Sequence, residues 1–359
     1  MKPSPLTWAD RDANPVVKVE DLAWLEFERP DLDAAARFAT DFGFAVAART
    51  ETELRLRGVR AGTRCVVVRK GARSRFVATA YRAASAADVE QLARETGVTA
   101  EACPGGGTAV TLTTPSGAVV RVVAGVEELP ALAGQTPLTW NVGHVVRRTN
   151  ASQRPAREPA RVERLGHVVL ESPAFQRDLA WYLGTLGLVV SDFLYFDGQR
   201  ERGPIMAFLR CDRGAIPTDH HTLALMLGPA GKYVHSAYQV ADLDAVAAGG
   251  AYLKDRGYRH AWGVGRHIEG SQIFDYWRDP DGLMFEHFAD GDVFDSSVPA
   301  GEKPMTASGL SQWGPPVTKE FLDAKPTPGK LRDVVRALCD DTSELDLERL
   351  RGLLKVMSS

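Results

Sequence analysis

The chain carries eight histidines, and seven of them (His167, His220, His221, His235, His260, His267 and His287) fall between residues 167 and 287. Neutral imidazole is the commonest protein metal ligand, and its ordinary titration lies near neutral pH. Such a cluster points to metal or acid–base chemistry in that part of the chain. Two placements narrow the reading. His167 sits in a β-branched run, Gly166-His167-Val168-Val169-Leu170, and His235 sits in a second run at 233–240. Glu286 follows six residues after Pro280, in a third apolar run at 283–288. Two imidazoles and one carboxylate held on strands make a facial triad. It leaves open positions on an octahedral ion, the arrangement typical of non-haem Fe(II).

The elements that must position these residues repeat along the chain. Ser172 and Pro173 predict an N-cap and first helical position. Phe175, Leu179, Tyr182, Leu183 and Leu186 then recur at helical spacing up to Gly187. Strand-like runs follow at 205–210 and 222–226. A second round passes from the strand at 233–240 through a helix at 243–255 to strands at 274–277 and 283–288. The first half repeats the plan. Residues 22–27 stand for 165–170, and a helix at 33–42 closed by Gly43 mirrors the one closed by Gly187. Residues 76–82 mirror 234–240, and Thr114-Pro115-Ser116-Gly117 mirrors Asp279-Pro280-Asp281-Gly282. The reading is an α+β chain of four βαβββ modules paired into two domains. Repeated units carry equivalent residues to equivalent places, which brings His167, His235 and Glu286 to one cavity. In the first half those places fall to Trp24, Val77 and Arg121. None of these binds a divalent ion in such a site, so that half is expected to be metal-free.

The boundaries read as an N-terminal extension at 1–16, a first domain at 17–130 and a linker at 131–161. A second domain follows at 162–293, then a C-terminal extension at 294–359 with one or two amphipathic helices over 330–357. A length of 359 residues suits two or three domains of about 100–200 residues each. With 44% hydrophobic and 25% charged residues the composition is that of an ordinary globular protein. The balance of 43 basic against 46 acidic residues argues against a non-specific nucleic-acid binder and gives no reason to expect an anionic membrane partner. No apolar run reaches the roughly 18 residues of a membrane span. Residues 1–13 lack the apolar core of a signal peptide, so cytoplasmic residence is expected. Cys65, Cys103, Cys211 and Cys339 are scattered without a CxxC pair and read as reduced thiols.

Other motifs read as structure. Pro104-Gly105-Gly106-Gly107 lacks the phosphate-loop pattern and precedes a strand, so it is a turn. The eight basic residues at 55–75 alternate with apolar ones, as on a solvated strand face. Asp290-Gly291-Asp292 supplies too few oxygen ligands for a calcium loop.

Within 165–288 the motif residues are Gly265-Arg266-His267, Tyr276, Asp279-Pro280-Asp281-Gly282 and Glu286. In this spacing the segment resembles the type I extradiol catechol dioxygenases of the vicinal oxygen chelate superfamily. One departure is Asp275, where that family usually has an apolar residue; its expected effect is on pocket shape. The resemblance implies curled mixed sheets around a cavity, with His167, His235 and Glu286 as ligands of Fe(II) or, second, Mn(II). It implies that His221 is the acid–base group on the oxygen side, while His267 and Tyr276 hold the substrate side. The implied partners are a small aromatic diol and the co-substrate O2, in a homo-oligomeric enzyme that inserts both oxygen atoms beside the vicinal hydroxyls. His220, adjacent to His221, is expected to face away, because neighbours on a strand alternate. His144, His260 and His287 are expected to be structural. Ring substituents would be read from 193–206 and 258–262. Two rival functions share the scaffold: a glyoxalase-like metal-dependent lyase or isomerase, and a non-catalytic small-molecule binder. The first typically uses a carboxylate-richer ligand set, and the second usually lacks a full triad.

Overall fold

A computed structural model describes residues 8–103 and 105–358; the sequence readings at 1–7 and at Pro104 lie outside them. In the first half, strand β1 (Val19–Arg29), helix α1 (Leu32–Phe42) and strands β2 (Ala45–Arg49), β3 (Glu53–Arg57) and β4 (Val66–Lys70) form one unit. Strand β5 (Arg75–Ala83), helix α2 (Ala86–Thr96) and strands β6 (Glu101–Ala102), β7 (Thr108–Thr113) and β8 (Val119–Ala124) form the next. Their eight strands make one sheet in the order β2-β3-β4-β1-β5-β8-β7-β6. The two opening strands pair antiparallel at its centre, and each pairs parallel with the last strand of its own unit.

The second half is built alike. One unit is β9 (Arg164–Ser172), α3 (Phe175–Leu186), β10 (Leu188–Phe196), β11 (Met206–Cys211), a short β12 (Thr218–Asp219) and β13 (Leu223–Leu227). The other is β14 (Lys232–Gln239), α4 (Leu243–Asp255), β15 (Arg259–Arg266), β16 (Ile273–Arg278) and β17 (Met284–Ala289). After β18 (Val293–Phe294), strand β19 (Gly301–Met305) of the C-terminal extension joins the edge. The sheet order is β15-β16-β17-β14-β9-β13-β11-β10-β19, with β9 and β14 antiparallel at the centre. The expected α+β plan of four βαβββ modules in curled, open mixed sheets is what the chain adopts.

Local chemistry explains the elements. Gly43 and Gly187 stop α1 and α3 in the left-handed region, at φ 109° and 65°, as the repeat implied. The start of α3 differs from expectation. The helix begins at Phe175 rather than Pro173, because Ser172 Oγ accepts from Ala174 N at 2.9 Å and turns the chain first. Its free N–H groups are met from far away: the Glu344 carboxylate accepts from Gln176 N at 2.8 Å. The basic stretch at 55–75 is also not uniformly solvated. Arg57 and Arg64 are buried, and Arg57 donates to the carbonyls of Gly58, Arg60 and Pro130.

The two halves lock together through aromatic and ionic contacts. Phe27 of β1 meets Tyr233 at 5.3 Å and Phe285 at 6.0 Å, and Phe38 of α1 meets Tyr258 at 5.2 Å. The buried Arg29 guanidinium pairs with Asp279 at 2.9 Å and Asp281 at 3.1 Å. In mirror fashion, the Ser116 turn donates to buried Asp178 of α3. Helices α5 (Pro328–Cys339) and α6 (Leu347–Ser358) close the chain. Cys65, Cys211 and Cys339 are free thiols, with Cys339 exposed. Among the described residues no helix is long and apolar enough to cross a membrane.

Candidate metal centre

The three central strands of the second sheet carry the site. His167 on β9 stands opposite Ala237 on β14, and Ala237 in turn stands beside Glu286 on β17. His235 lies two residues before Ala237, on the same face of the pleat. One ligand atom from each of His167, His235 and Glu286 lies within 4.8 Å of the other two. Both imidazole Nε2 atoms are 3.3 Å from Glu286 Oε2. An octahedral ion with bonds of about 2.1 Å sets neighbouring ligand atoms about 3.0 Å apart, so this spacing fits one.

The surroundings fit a cation too. Glu286 is fully buried, yet neither carboxylate oxygen has a hydrogen-bond partner. A buried carboxylate left unpaired is costly, and a divalent ion is the partner that removes the cost. Burial pushes the Glu286 carboxyl up, but the two imidazoles outweigh it and hold it below the ordinary range. The Gln272 amide Nε2 lies 3.5 Å from His167 Nδ1, while its Oε1 has no partner. Turning that amide over lets Oε1 accept from Nδ1–H, the tautomer that metal binding at Nε2 requires.

His267 and Tyr276 stand on the other side of the carboxylate. The carbonyl of Leu310 accepts from His267 Nδ1 at 2.7 Å, so Nε2 is the bare nitrogen of the neutral ring. Tyr276 Oη therefore donates to His267 Nε2, at 2.8 Å, and keeps its own lone pairs for a ligand. Burial pushes the His267 imidazole down to about 4, so the ring is neutral at physiological pH. His221 approaches His167, with ring centroids 4.1 Å apart, but is not among the converging ligand atoms. Burial, then the neighbouring His167 and His220 rings, push its imidazole well below the ordinary value.

Several expectations need correction. The strand alternation expected to turn His220 away from the metal is not there, and its ring meets that of His221. Residues 220–222 precede β13 and are not in a strand, so alternation does not apply there; the two Nδ1 atoms are 3.0 Å apart. The first-half equivalent of His235 is Ala78 rather than Val77. Glu26 opposite Ala78 on β1 and β5 matches Val169 opposite His235, while Trp24 and Arg121 do match His167 and Glu286. Asp275 does not shape the pocket. It lies on the opposite face from Tyr276, where its carboxylate accepts from His260 Nε2 and Trp277 Nε1 at 2.7 Å each. Of the stretches at 193–206 and 258–262, Trp262 reaches the site, 5.8 Å from Tyr276. Phe193 packs on Trp8 and Tyr258 on Phe38. His260 and His287 make structural bonds, His287 Nε2 donating to the Phe42 carbonyl at 2.7 Å.

The roof of the cavity has no signal in the sequence. Leu310, Val317 and Phe321 of the C-terminal extension pack on Trp262, Phe274 and Tyr276. Phe321 lies 4.8 Å from Tyr276 and 6.4 Å from His235. The result is an aromatic cluster packed beside two imidazoles and a carboxylate.

Residues 164–287 match the family model described as Glyoxalase/Bleomycin resistance protein/Dioxygenase superfamily. The chain is 32% identical over 317 residues to metapyrocatechase 2 of Cupriavidus necator, spanning 86% of this chain and 93% of that protein. Among solved structures it superposes on a Mn(II)-bound glyoxalase from Novosphingobium aromaticivorans with a TM-score of 0.70, at 22% identity over 92% of this chain and 99% of that one. It superposes on homoprotocatechuate 2,3-dioxygenase from Brevibacterium fuscum with 3,4-dihydroxyphenylacetate bound, at a TM-score of 0.69 and 19% identity, over 87% and 94% of the two chains. At these identities the structural likenesses speak for the fold alone.

Proposed function

The chain belongs to the extradiol catechol dioxygenase family of the Glyoxalase/Bleomycin resistance protein/Dioxygenase superfamily, and from that premise we propose that it is an Fe(II) enzyme inserting both atoms of O2 into a catechol beside the vicinal hydroxyls. The observation that carries the reading is the convergence of His167, His235 and Glu286 in a buried chamber flanked by His221 on one side and by the His267–Tyr276 pair on the other. Two neutral donors and one carboxylate leave an Fe(II) site with net positive charge, suited to a catecholate. Bound there, Fe(II) supplies the one-electron chemistry that lets O2 react with a closed-shell aromatic.

The protein's own groups do the rest. A catechol hydroxyl donates to Tyr276 Oη, which donates to His267 Nε2, so a substrate proton has a two-bond path out of the chamber. Trp262 and Phe321 pack on each other, with ring centroids 4.7 Å apart, and on Tyr276, forming an apolar wall beside its hydroxyl. His221 stands on the side of the reacting oxygen, where it holds and returns a proton. The first domain, with Trp24, Ala78 and Arg121 at the matching places, serves as a metal-free scaffold.

The test is oxygen uptake by Fe(II)-loaded protein against a panel of substituted catechols. Uptake that tracks a new yellow ring-cleavage absorbance is expected. No uptake with any catechol, whether Fe(II) or Mn(II) is loaded, would leave the glyoxalase-like or binding reading in its place.

A further inference from the structure

Beside the metal chamber runs a chain of three side chains, Asp192, His220 and His221. Asp192 Oδ2 lies 2.7 Å from His220 Nε2, and His220 Nδ1 lies 3.0 Å from His221 Nδ1. A carboxylate accepts and does not donate, so His220 carries its hydrogen on Nε2. In a neutral ring that leaves His220 Nδ1 bare. Two bare nitrogens 3.0 Å apart would repel, so the hydrogen between the rings belongs to His221 Nδ1. His221 Nε2 is then the nitrogen that carries no hydrogen.

The surroundings hold this arrangement rigidly. His220 is 1% exposed, and its ring packs tilted against Phe208 at 5.7 Å and edge-on to Phe294 at 5.3 Å. Its backbone N donates to the Asp292 carbonyl at 2.9 Å, and its own carbonyl accepts from buried Ser191 Oγ. Arg210 Nη1 in turn donates to Ser191 Oγ at 2.9 Å. Gly270 has no side chain where a Cβ would press on the His220 ring, 3.1 Å from Nδ1. A histidine needed only to fill a core has no use for a carboxylate at one nitrogen and a second histidine at the other.

We propose that His220, anchored by Asp192, is a positioning residue that fixes the ring orientation and tautomer of His221, keeping its proton on Nδ1 and a bare Nε2 toward the chamber. The proposal rests on the reading of His221 as the group that handles the oxygen-side proton. It assigns no contact with substrate or metal to His220 or Asp192.

Four Fe(II)-loaded proteins test it: wild type, His221→Phe, His220→Phe and His220→Gln. Glutamine spans the same two positions, its amide N donating to Asp192 and its amide O accepting from His221. His220→Phe should lower kcat for catechol cleavage by about 10–100-fold, the usual cost of losing an orienting partner, with KM and iron content unchanged. His220→Gln should regain most of that loss. Wild-type kcat in His220→Phe beside collapse in His221→Phe overturns the positioning role, as does a Gln variant no better than Phe. Full kcat in His221→Phe instead overturns the underlying reading of His221. Nitrogen NMR of histidine-labelled, metal-free wild type gives an answer without turnover, even if His220→Phe fails to fold. His221 should carry its proton on Nδ1; a proton found on Nε2 refutes the assignment.

Discussion

Trp24 and His167 occupy one register position in two sheets: Trp24 lies opposite Ala80, and His167 lies opposite Ala237. From that equivalence the first sheet's counterpart of the metal chamber can be read residue by residue. Where the second sheet gathers metal donors, the first gathers an ionic knot around Glu26, which is 2% exposed. Trp24 Nε1 donates to it at 3.1 Å, and Arg121 and Arg69 each bond it at 2.8 Å. Two guanidiniums supply there the positive charge that a bound ion would supply next door.

One tightly bound metal per chain is therefore expected, and metal analysis of the purified protein checks it. Arg121→Ala should keep that single equivalent while costing about 1.5–3 kcal/mol of stability, the usual worth of hydrogen bonds to a charged group. Two equivalents, or loss of the metal in Arg121→Ala, would contradict the assignment.

The same knot sets a pH dependence. Burial raises the Glu26 carboxyl, but the hydrogen bonds from Trp24 and Arg121 and the charges of Arg121 and Arg69 outweigh it and hold it below the ordinary carboxylate range. A depressed carboxyl stabilises the fold above its unfolded pKa, and that stability is lost as pH falls through the lower, folded value. Glu26→Gln should thus be less stable than wild type at neutral pH, and the gap should close in acid. Thermal unfolding of both proteins across that range reads it directly.

His167→Ala, His235→Ala and Glu286→Ala should each abolish tight Fe(II) binding and turnover, since two ligands do not hold a labile divalent ion. Iron content of the purified variants decides this. A Glu286→Ala protein with wild-type iron and rate would remove the triad from the account.

The convergence of His167, His235 and Glu286 was legible because the chain repeats itself: matching places in β9 and β14, and the turn before β17, point to all three residues. The misplaced Val77 marks the limit of that reading. The β1–β5 and β9–β14 pairings both contain bulges, and a one-residue slip moves a side chain to the other face of a sheet. The contact between His220 and His221 was not legible because strand alternation does not reach the irregular residues 220–222 ahead of β13. The roof at Leu310 and Phe321 had no signal, since a Pro- and Gly-rich tail does not encode in its own pattern which distant cavity it covers.

Replacing His221 by Asn or Phe should leave iron content and catechol binding nearly intact while turnover falls by about 10²–10⁴-fold, the worth of a positioned acid–base group. Loss of iron in these variants would instead make His221 a ligand. Tyr276→Phe should also keep its iron but lose the hydrogen-bonded path to His267, and kcat/KM for catechol should fall.

Between the halves, Arg29→Met strands two carboxylates, Asp279 and Asp281, of which Asp279 is buried. Removing one partner of a buried pair costs about 3–5 kcal/mol, so the variant should unfold at markedly lower denaturant. An unchanged midpoint would show that the pair contributes nothing to joining the two sheets.

In the proposed reaction, this site puts both atoms of O2 into a catechol. Isotopically labelled O2, supplied to Fe(II)-loaded protein with a cleavable catechol, tests it by mass analysis of the product. The expected product is ring-opened and carries label at two oxygens. An intact ring, or a ring-opened product labelled at neither oxygen, would contradict it.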